Sequence, residues 1–142
     1  MEKHLIFWLF AAGVLVLDRI TKLLIVHLVP LNSSVEFGPI SLVHALNTGT
    51  AFGLLKSGGI LFTLIALIVS AHLIFKHSSY SARYQPLLGL VLGGALGNVA
   101  DRFLYDAVID FIDVHFWPVF NVADSAISIA IVLLIIYEWK SK

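Results

Sequence analysis

The stretch "FNVADSAISIAIVLLIIYEWK", residues 120–140, decides the fold. Its apolar part, about 123–139, is nearly the roughly 20 helical residues that a bilayer core of about 30 Å requires. Yet it opens on a carboxylate, Asp124, with Asn121 three residues earlier. Asp and Asn at a helix start accept backbone N–H bonds, so either can cap the span. Whether Asp124 is also chemistry depends on what the rest of the chain brings to it.

Three further apolar segments precede it, at about 5–28, 59–75 and 86–102. The 142 residues are 59% hydrophobic and only 13% charged, with a mean hydropathy of +0.96. Soluble domains are usually about half apolar and about a quarter charged. The composition therefore predicts one integral membrane domain covering 1–142. The net charge is zero, so nothing suggests nucleic acid as a partner. The absence of cysteine excludes disulfides, thiol catalysis and thiolate metal sites. The first segment is too long for a cleavable signal peptide and carries Asp18, Arg19 and Lys22.

The joints between segments differ. "KHSSYSARYQ", 76–85, is short and polar; 29–58 is long and holds Pro30, Pro39 and several glycines. Within it "FGPISLVHAL", 37–46, has β-type residues and predicts strand, and "YDAVIDFIDVHFWPVF", 105–120, is a second region where strand is expected. Lys3, Lys76, Arg83, Lys140 and Lys142 fall on one side of a four-span arrangement. The other side holds Lys56 and the acids Glu36, Asp106, Asp110 and Asp113. That asymmetry predicts cytoplasmic termini and outward-facing long loops.

Ionisable groups inside a span cost about 2.5–3.5 kcal/mol each on insertion scales, so each needs a reason. Asp18, Arg19 and Lys22 lie in the outer half of the first span. Asp101 and Arg102 lie at the outer end of the third, and Asp124 at the outer end of the fourth. All three sets share one depth. Asp18 and Lys22, four apart, share a helical face, which predicts an internal ion pair and allows either residue to orient a polar pocket. Arg19 points off that face and is expected to reach outward to lipid head groups.

"AVIDFIDV" adds Asp110 and Asp113 in an apolar run. If the run is extended, the two acids face opposite ways, one inward and one to water, and spacing alone does not say which. Two carboxylates held close in a low-dielectric site share one proton. The ionised one can take a proton from water while the protonated one polarises a peptide carbonyl. This chemistry needs no metal and no cofactor. The six histidines form no HExxH or HxH pattern, so no metal site is expected. Ser125 and Ser128 have only the remote Lys22 as a base partner, which makes a Ser–Lys hydrolase a poor choice. The glycines of "LGLVLGGALGN", 88–98, suit close helix packing.

Five motifs, in order along nearly the whole chain, resemble the lipoprotein signal peptidases, or signal peptidase II. They are "LDRITK" at 17–22, "NTGTAFG" at 47–53, "GGALGNVADR" at 93–102, "VIDFID" at 108–113 and "FNVAD" at 120–124. The resemblance implies a bacterial aspartic endopeptidase that cleaves diacylglyceryl-modified prolipoproteins just before the lipidated cysteine. It implies an all-α membrane protein with four transmembrane helices, a small extracytoplasmic β-cradle and a short mobile outer helix, the loop 29–58 supplying much of the last two. A lid near "NTGTAFG" would close over the site. Carried over residue by residue, the dyad is Asp110 and Asp124. Asp18 and Lys22 match positions that shape the site, Asn47, Asn98, Arg102 and Asn121 match residues lining it, and Asp101 supports Arg102. The implied partners are the lipid-modified substrate and membrane lipid, with no metal or cofactor, in a monomer. The implied location is the bacterial cytoplasmic (inner) membrane, with the site near the outer face. The competing expectation is a small proton-coupled transporter, because intramembrane acids beside a Lys also mark such proteins. A transporter would place its acids at mid-bilayer and show an inverted repeat, and this sequence shows neither.

Overall fold

The structure is a computed structural model, and it describes residues 2–49 and 58–140. The outer helix, Lys56 and the part of "NTGTAFG" beyond Gly49 lie outside the described residues. Four long helices and three strands alternate in blocks: α1 Glu2–Leu28, β1 Ser34–Phe37, β2 Ile40–Asn47, α2 Gly58–Lys76, α3 Gln85–Tyr105, β3 Val108–Asp113 and α4 Val122–Lys140. The helix limits fall within about three residues of those read from hydropathy.

Among the described residues three helices are long and apolar enough to cross a membrane: Gly59–Ser79, Ala82–Tyr105 and Val122–Lys140. At about 1.5 Å per residue, the 19 residues of α2 or α4 extend about 28 Å, close to a bilayer core. α1 is longer, at 27 residues, and differs from them in carrying Asp18, Arg19 and Lys22 in its interior.

α3 is the central post. About 61% of its span is buried, against 11% and 17% for the spans of α2 and α4. Glycines let its neighbours come close. A Cβ at Gly89 or Gly93 would run into the α1 backbone at Phe7 or Ala11, and one at Gly94 would sit 2.6 Å from the Ala123 carbonyl of α4. This is small-residue packing of the kind that membrane helices use. At one end, Phe7, Ala11, Leu73, Leu88 and Leu92 form a core joining α1, α2 and α3. There the His77 ring stacks on Phe7 at 4.0 Å, and buried Gln85 donates to the carbonyls of His77 and Tyr80, which fixes the short α2–α3 joint.

At the other end lies an antiparallel sheet in the order β1-β2-β3. Gly38, at φ 71, opens the two-residue turn between Phe37 and Ile40. A positive φ at this turn position suits glycine. Ile25, Val29 and Phe111, with Leu42, Ile112 and Val122 against them, pack the sheet onto the ends of α1 and α4. β3 follows α3 through Asp106, whose left-handed conformation (φ 54) and N–H bond to the Arg102 carbonyl end that helix. The Phe120 carbonyl accepts the N–H groups of Phe111 and Ile112, which fixes where α4 begins relative to β3.

Candidate active site

The head of α4 is a reciprocal cap. Asn121 Oδ1 accepts the Asp124 N–H at 2.9 Å, and Asp124 Oδ2 accepts the Asn121 N–H at 3.3 Å. This is capping-box geometry, with Asn at the cap and Asp three residues on. The Ala123 N–H donates to Asp18 Oδ1, reaching across from α1, at 3.1 Å. Asp124 is thus a cap with one oxygen. Its other oxygen, Oδ1, accepts Asn98 Nδ2 at 2.8 Å.

β3 brings the second acid. Pairing of Ala45 with Asp110, and of Asn47 with Val108, sets Asn47 beside Asp110. Asp110 is only 4% exposed. Its Oδ1 accepts Asn121 Nδ2 at 2.8 Å and its Oδ2 accepts Asn47 Nδ2 at 3.0 Å. Each of the four carboxylate oxygens of Asp110 and Asp124 therefore receives one N–H. Asp113 faces the other way, half-buried, and accepts the His115 N–H at 2.7 Å in the following turn. Spacing leaves the choice between the two acids open and the family resemblance gives it to Asp110; the structure has Asp110 as the inward one.

Asp110 and Asp124 line one open cavity of about 460 Å³, with Asn47, Arg102, Trp117 and Phe120 around them. Burial pushes the Asp110 carboxyl up to about 7, and the neighbouring charge of Asp124 adds to the rise. The N–H groups of Asn47 and Asn121 and the charge of Lys22 oppose it. A second cavity, about 440 Å³, opens between α2 and α3. Its wall of Ile60, Leu64, Leu67 and Phe103 is apolar, and Arg102 borders both spaces.

Behind the two acids lies a buried ionic cluster. Lys22, 1% exposed, places Nζ 2.6 Å from Asp101 Oδ2, 2.9 Å from Asp18 Oδ2 and 3.0 Å from Asn98 Oδ1. Asp101 Oδ2 also accepts the Ile109 N–H at 3.1 Å, so it anchors the strand next to Asp110. Arg19 corrects an expectation. It does not reach out to head groups; its Nη2 turns inward to Asp101 Oδ1, with Asp18 Oδ2 and the Gly97 carbonyl each at 3.3 Å. The reason is charge. Asp18 and Asp101 bring two buried negative charges and Lys22 only one positive, and an unpaired buried charge costs far more than the ordering of a long side chain.

All nine expected site residues, Asp18, Lys22, Asn47, Asn98, Asp101, Arg102, Asp110, Asn121 and Asp124, thus meet in one connected region. Arg102 is the loosest, contacting the Asn98 carbonyl at 3.4 Å. Ser125 donates to the Asn121 carbonyl at 2.9 Å, and Lys22 is fully engaged elsewhere, so no Ser–Lys pair forms. Three contributors were missed in the sequence: Arg19, Trp117 and Gly97. A count of buried charge would have found Arg19. Gly97 leaves the room that Asp18 occupies, since a Cβ there would lie 2.6 Å from Asp18 Oδ2.

Residues 10–140 match the family model described as signal peptidase (SPase) II. A lipoprotein signal peptidase of Thermodesulfovibrio yellowstonii is 44% identical over 133 residues, covering 89% of this chain and 90% of that one. One of Psychromonas ingrahamii is 38% identical over 155 aligned positions, covering 100% of this chain and 90% of the other. A solved bacterial membrane enzyme superposes with a TM-score of 0.83 at 33% identity, covering 93% of this chain and 86% of that one. A second gives 0.81 at 34%, covering 94% and 92%. With the matched model spanning most of the sequence and relatives this similar along about 90% of their length, the chain belongs to the signal peptidase II family.

Proposed function

We propose that this membrane peptidase cleaves the signal peptide of diacylglyceryl-modified prolipoproteins just before the lipidated cysteine, with Asp110 and Asp124 as the catalytic pair. The family is one of lipoprotein signal peptidases, so the reaction is hydrolysis of a peptide bond in a lipoprotein precursor. The observation that carries the residue assignment is the shared setting of the two acids. They border one cavity, and each of their oxygens receives a single N–H, which leaves lone pairs for water and substrate.

The chemistry follows from that setting. The pair shares one proton and titrates as a unit. Its ionised member takes a proton from water as the water oxygen attacks the scissile carbonyl carbon. Its protonated member gives a proton to the carbonyl oxygen. The resulting gem-diol collapses as its C–N bond breaks: the nitrogen leaves with a proton from the protonated member, and a gem-diol hydroxyl returns a proton to the ionised member, which restores the shared proton. Asn47 and Arg102, at the cavity rim, hydrogen-bond substrate backbone that the bilayer cannot satisfy. Acyl chains of the modified cysteine lie on apolar helix surface, each buried CH₂ contributing about 0.8 kcal/mol.

In this reading α1 is a fourth span. What supports it is its length, its close packing on α3, and an outward surface rich in exposed Leu5, Leu9, Val16, Leu17, Ile20 and Leu24. The membrane is the bacterial cytoplasmic (inner) membrane. Both termini and the short joint at 77–84 are cytoplasmic, as the Lys and Arg distribution favours. The sheet forms the extracytoplasmic cradle of a single-domain monomer.

The test is cleavage of a diacylglyceryl-modified precursor by purified variants, read as a mobility shift. Asp110→Asn and Asp124→Asn should fold and insert but lose about 10²–10⁴-fold in rate, the usual scale for a lost acid–base group. Asp113→Asn should cleave normally. Processing by either dyad variant at the native rate would rule the assignment out.

A further inference from the structure

Asn98 Oδ1 receives two donors, Lys22 Nζ at 3.0 Å and Asn121 Nδ2 at 3.1 Å. An ammonium has donors only, so the Asn98 amide must turn its oxygen towards Lys22. Its NH₂ group then has to face Asp124 Oδ1, at 2.8 Å. Asn121 is oriented in the same way. Its own Oδ1 takes the Asp124 N–H, so its Nδ2 points to Asp110 Oδ1 and Asn98 Oδ1. Two of the three side-chain amides that hold the carboxylates, those of Asn98 and Asn121, thus meet at one atom, and that atom is held by Lys22; Asn47 holds Asp110 separately.

We propose that Lys22 is a positioning residue for the reaction: by fixing the Asn98 carboxamide it aims an amide donor at Asp124, and it fixes the oxygen that receives the Asn121 amide reaching Asp110. The proposal rests on reading those two acids as the reacting pair. Charge balance alone does not account for the arrangement. Arg19 already contacts both Asp18 and Asp101, and Lys22 uses two of its contacts on those carboxylates. The third goes to a neutral amide oxygen, which neutralisation does not require. Lys22 does not itself touch either Asp110 or Asp124 through a hydrogen bond, so it acts through Asn98.

The experiment holds the net charge of the cluster constant. The double variant Asp18→Asn/Lys22→Met keeps the cluster neutral, and the new Asn retains an oxygen for the Ala123 N–H. It should unfold near the native temperature in detergent, keep KM, and lose about 10–100-fold in kcat, the scale seen when an outer supporting partner is removed. A native kcat overturns the proposal. A second variant guards against misfolding of the first. Asn98→Asp replaces the donor facing Asp124 by an oxygen, and only a protonated acid restores a donor there. Position 98 is faced by Lys22 from α1, Arg102 on its own helix, Asp124 from α4 and, through Asn121, Asp110 from β3. The kcat–pH profile of Asn98→Asp should shift to the acid side of the native one, and an unshifted profile overturns the proposal. Asp110→Asn and Asp124→Asn are measured alongside. Cleavage by either at the native rate would refute the dyad itself, whereas two strongly slowed dyad variants beside a fully active double variant would refute only the role of Lys22.

Discussion

Asp124 divides two tasks between two oxygens: Oδ2 closes the cap of α4 and Oδ1 meets Asn98 at the cavity. Asp110 has no helix to cap, and it is the less exposed of the two. Its carboxyl, raised from 3.8 to about 7, binds a proton in the folded protein that the unfolded chain releases at lower pH. The sign follows from linkage: between those values the folded state holds more protons, so stability falls as pH rises. The Asp110 contribution is complete below about 3.8 and is lost as pH passes about 7. Thermal unfolding in detergent should show a falling midpoint from pH 4 to pH 8, and Asp110→Asn should flatten that slope. Cleavage should decline over the same upper range, as the pair loses its shared proton. The role of Asp110 over Asp113 was not legible from spacing, because strict alternation only says that the two acids differ. The inward one was decided by the pairing with β2, which is interrupted by a register shift between Leu42 and Ala45.

At the scale of elements, α3 sets the geometry. Its glycines were legible as packing residues, but the partner of each was not, since hydropathy carries no information on which helix lies opposite. Gly97→Ala should be costly, because the new methyl would press on a buried carboxylate with nowhere to move. Overpacking of this kind costs about 1–3 kcal/mol. Gly13, on α1, has no neighbour within 4 Å of an added Cβ. Gly13→Ala should therefore be neutral or stabilising, by up to about 1 kcal/mol from helix propensity. Paired melting curves of the two variants test this, and equal effects would mean that the α1–α3 contact is looser than described. Helix limits were legible because long apolar runs end at Lys, Pro or Asp. The inward turn of Arg19 was not, because a helical-wheel position fixes where Cβ points and not where a guanidinium five bonds further on comes to rest.

For the whole molecule, charges from three separate apolar segments, expected from the sequence to share one depth, are joined in the structure. Asp18, Arg19, Lys22 and Asp101 sum to zero, but they arrive on two helices. Of these four, α1 carries one negative and two positive charges, and the balancing acid lies on α3, after all of α2 has been made. During synthesis the first helix therefore enters the membrane with an unmatched cation, at a cost on the order of 2.5–3.5 kcal/mol. A chain stopped after residue 80 should be poorly retained in membranes washed with alkali, and one stopped after residue 106 well retained; equal retention would show that α1 is at ease alone. Such a difference in retention would make the ionic cluster a checkpoint in biogenesis as well as a scaffold. A nascent chain that fails to dock its third helix leaves Arg19 and Lys22 to share the single carboxylate of Asp18, a surplus cation by which quality-control proteases could tell an unfinished chain from a finished one.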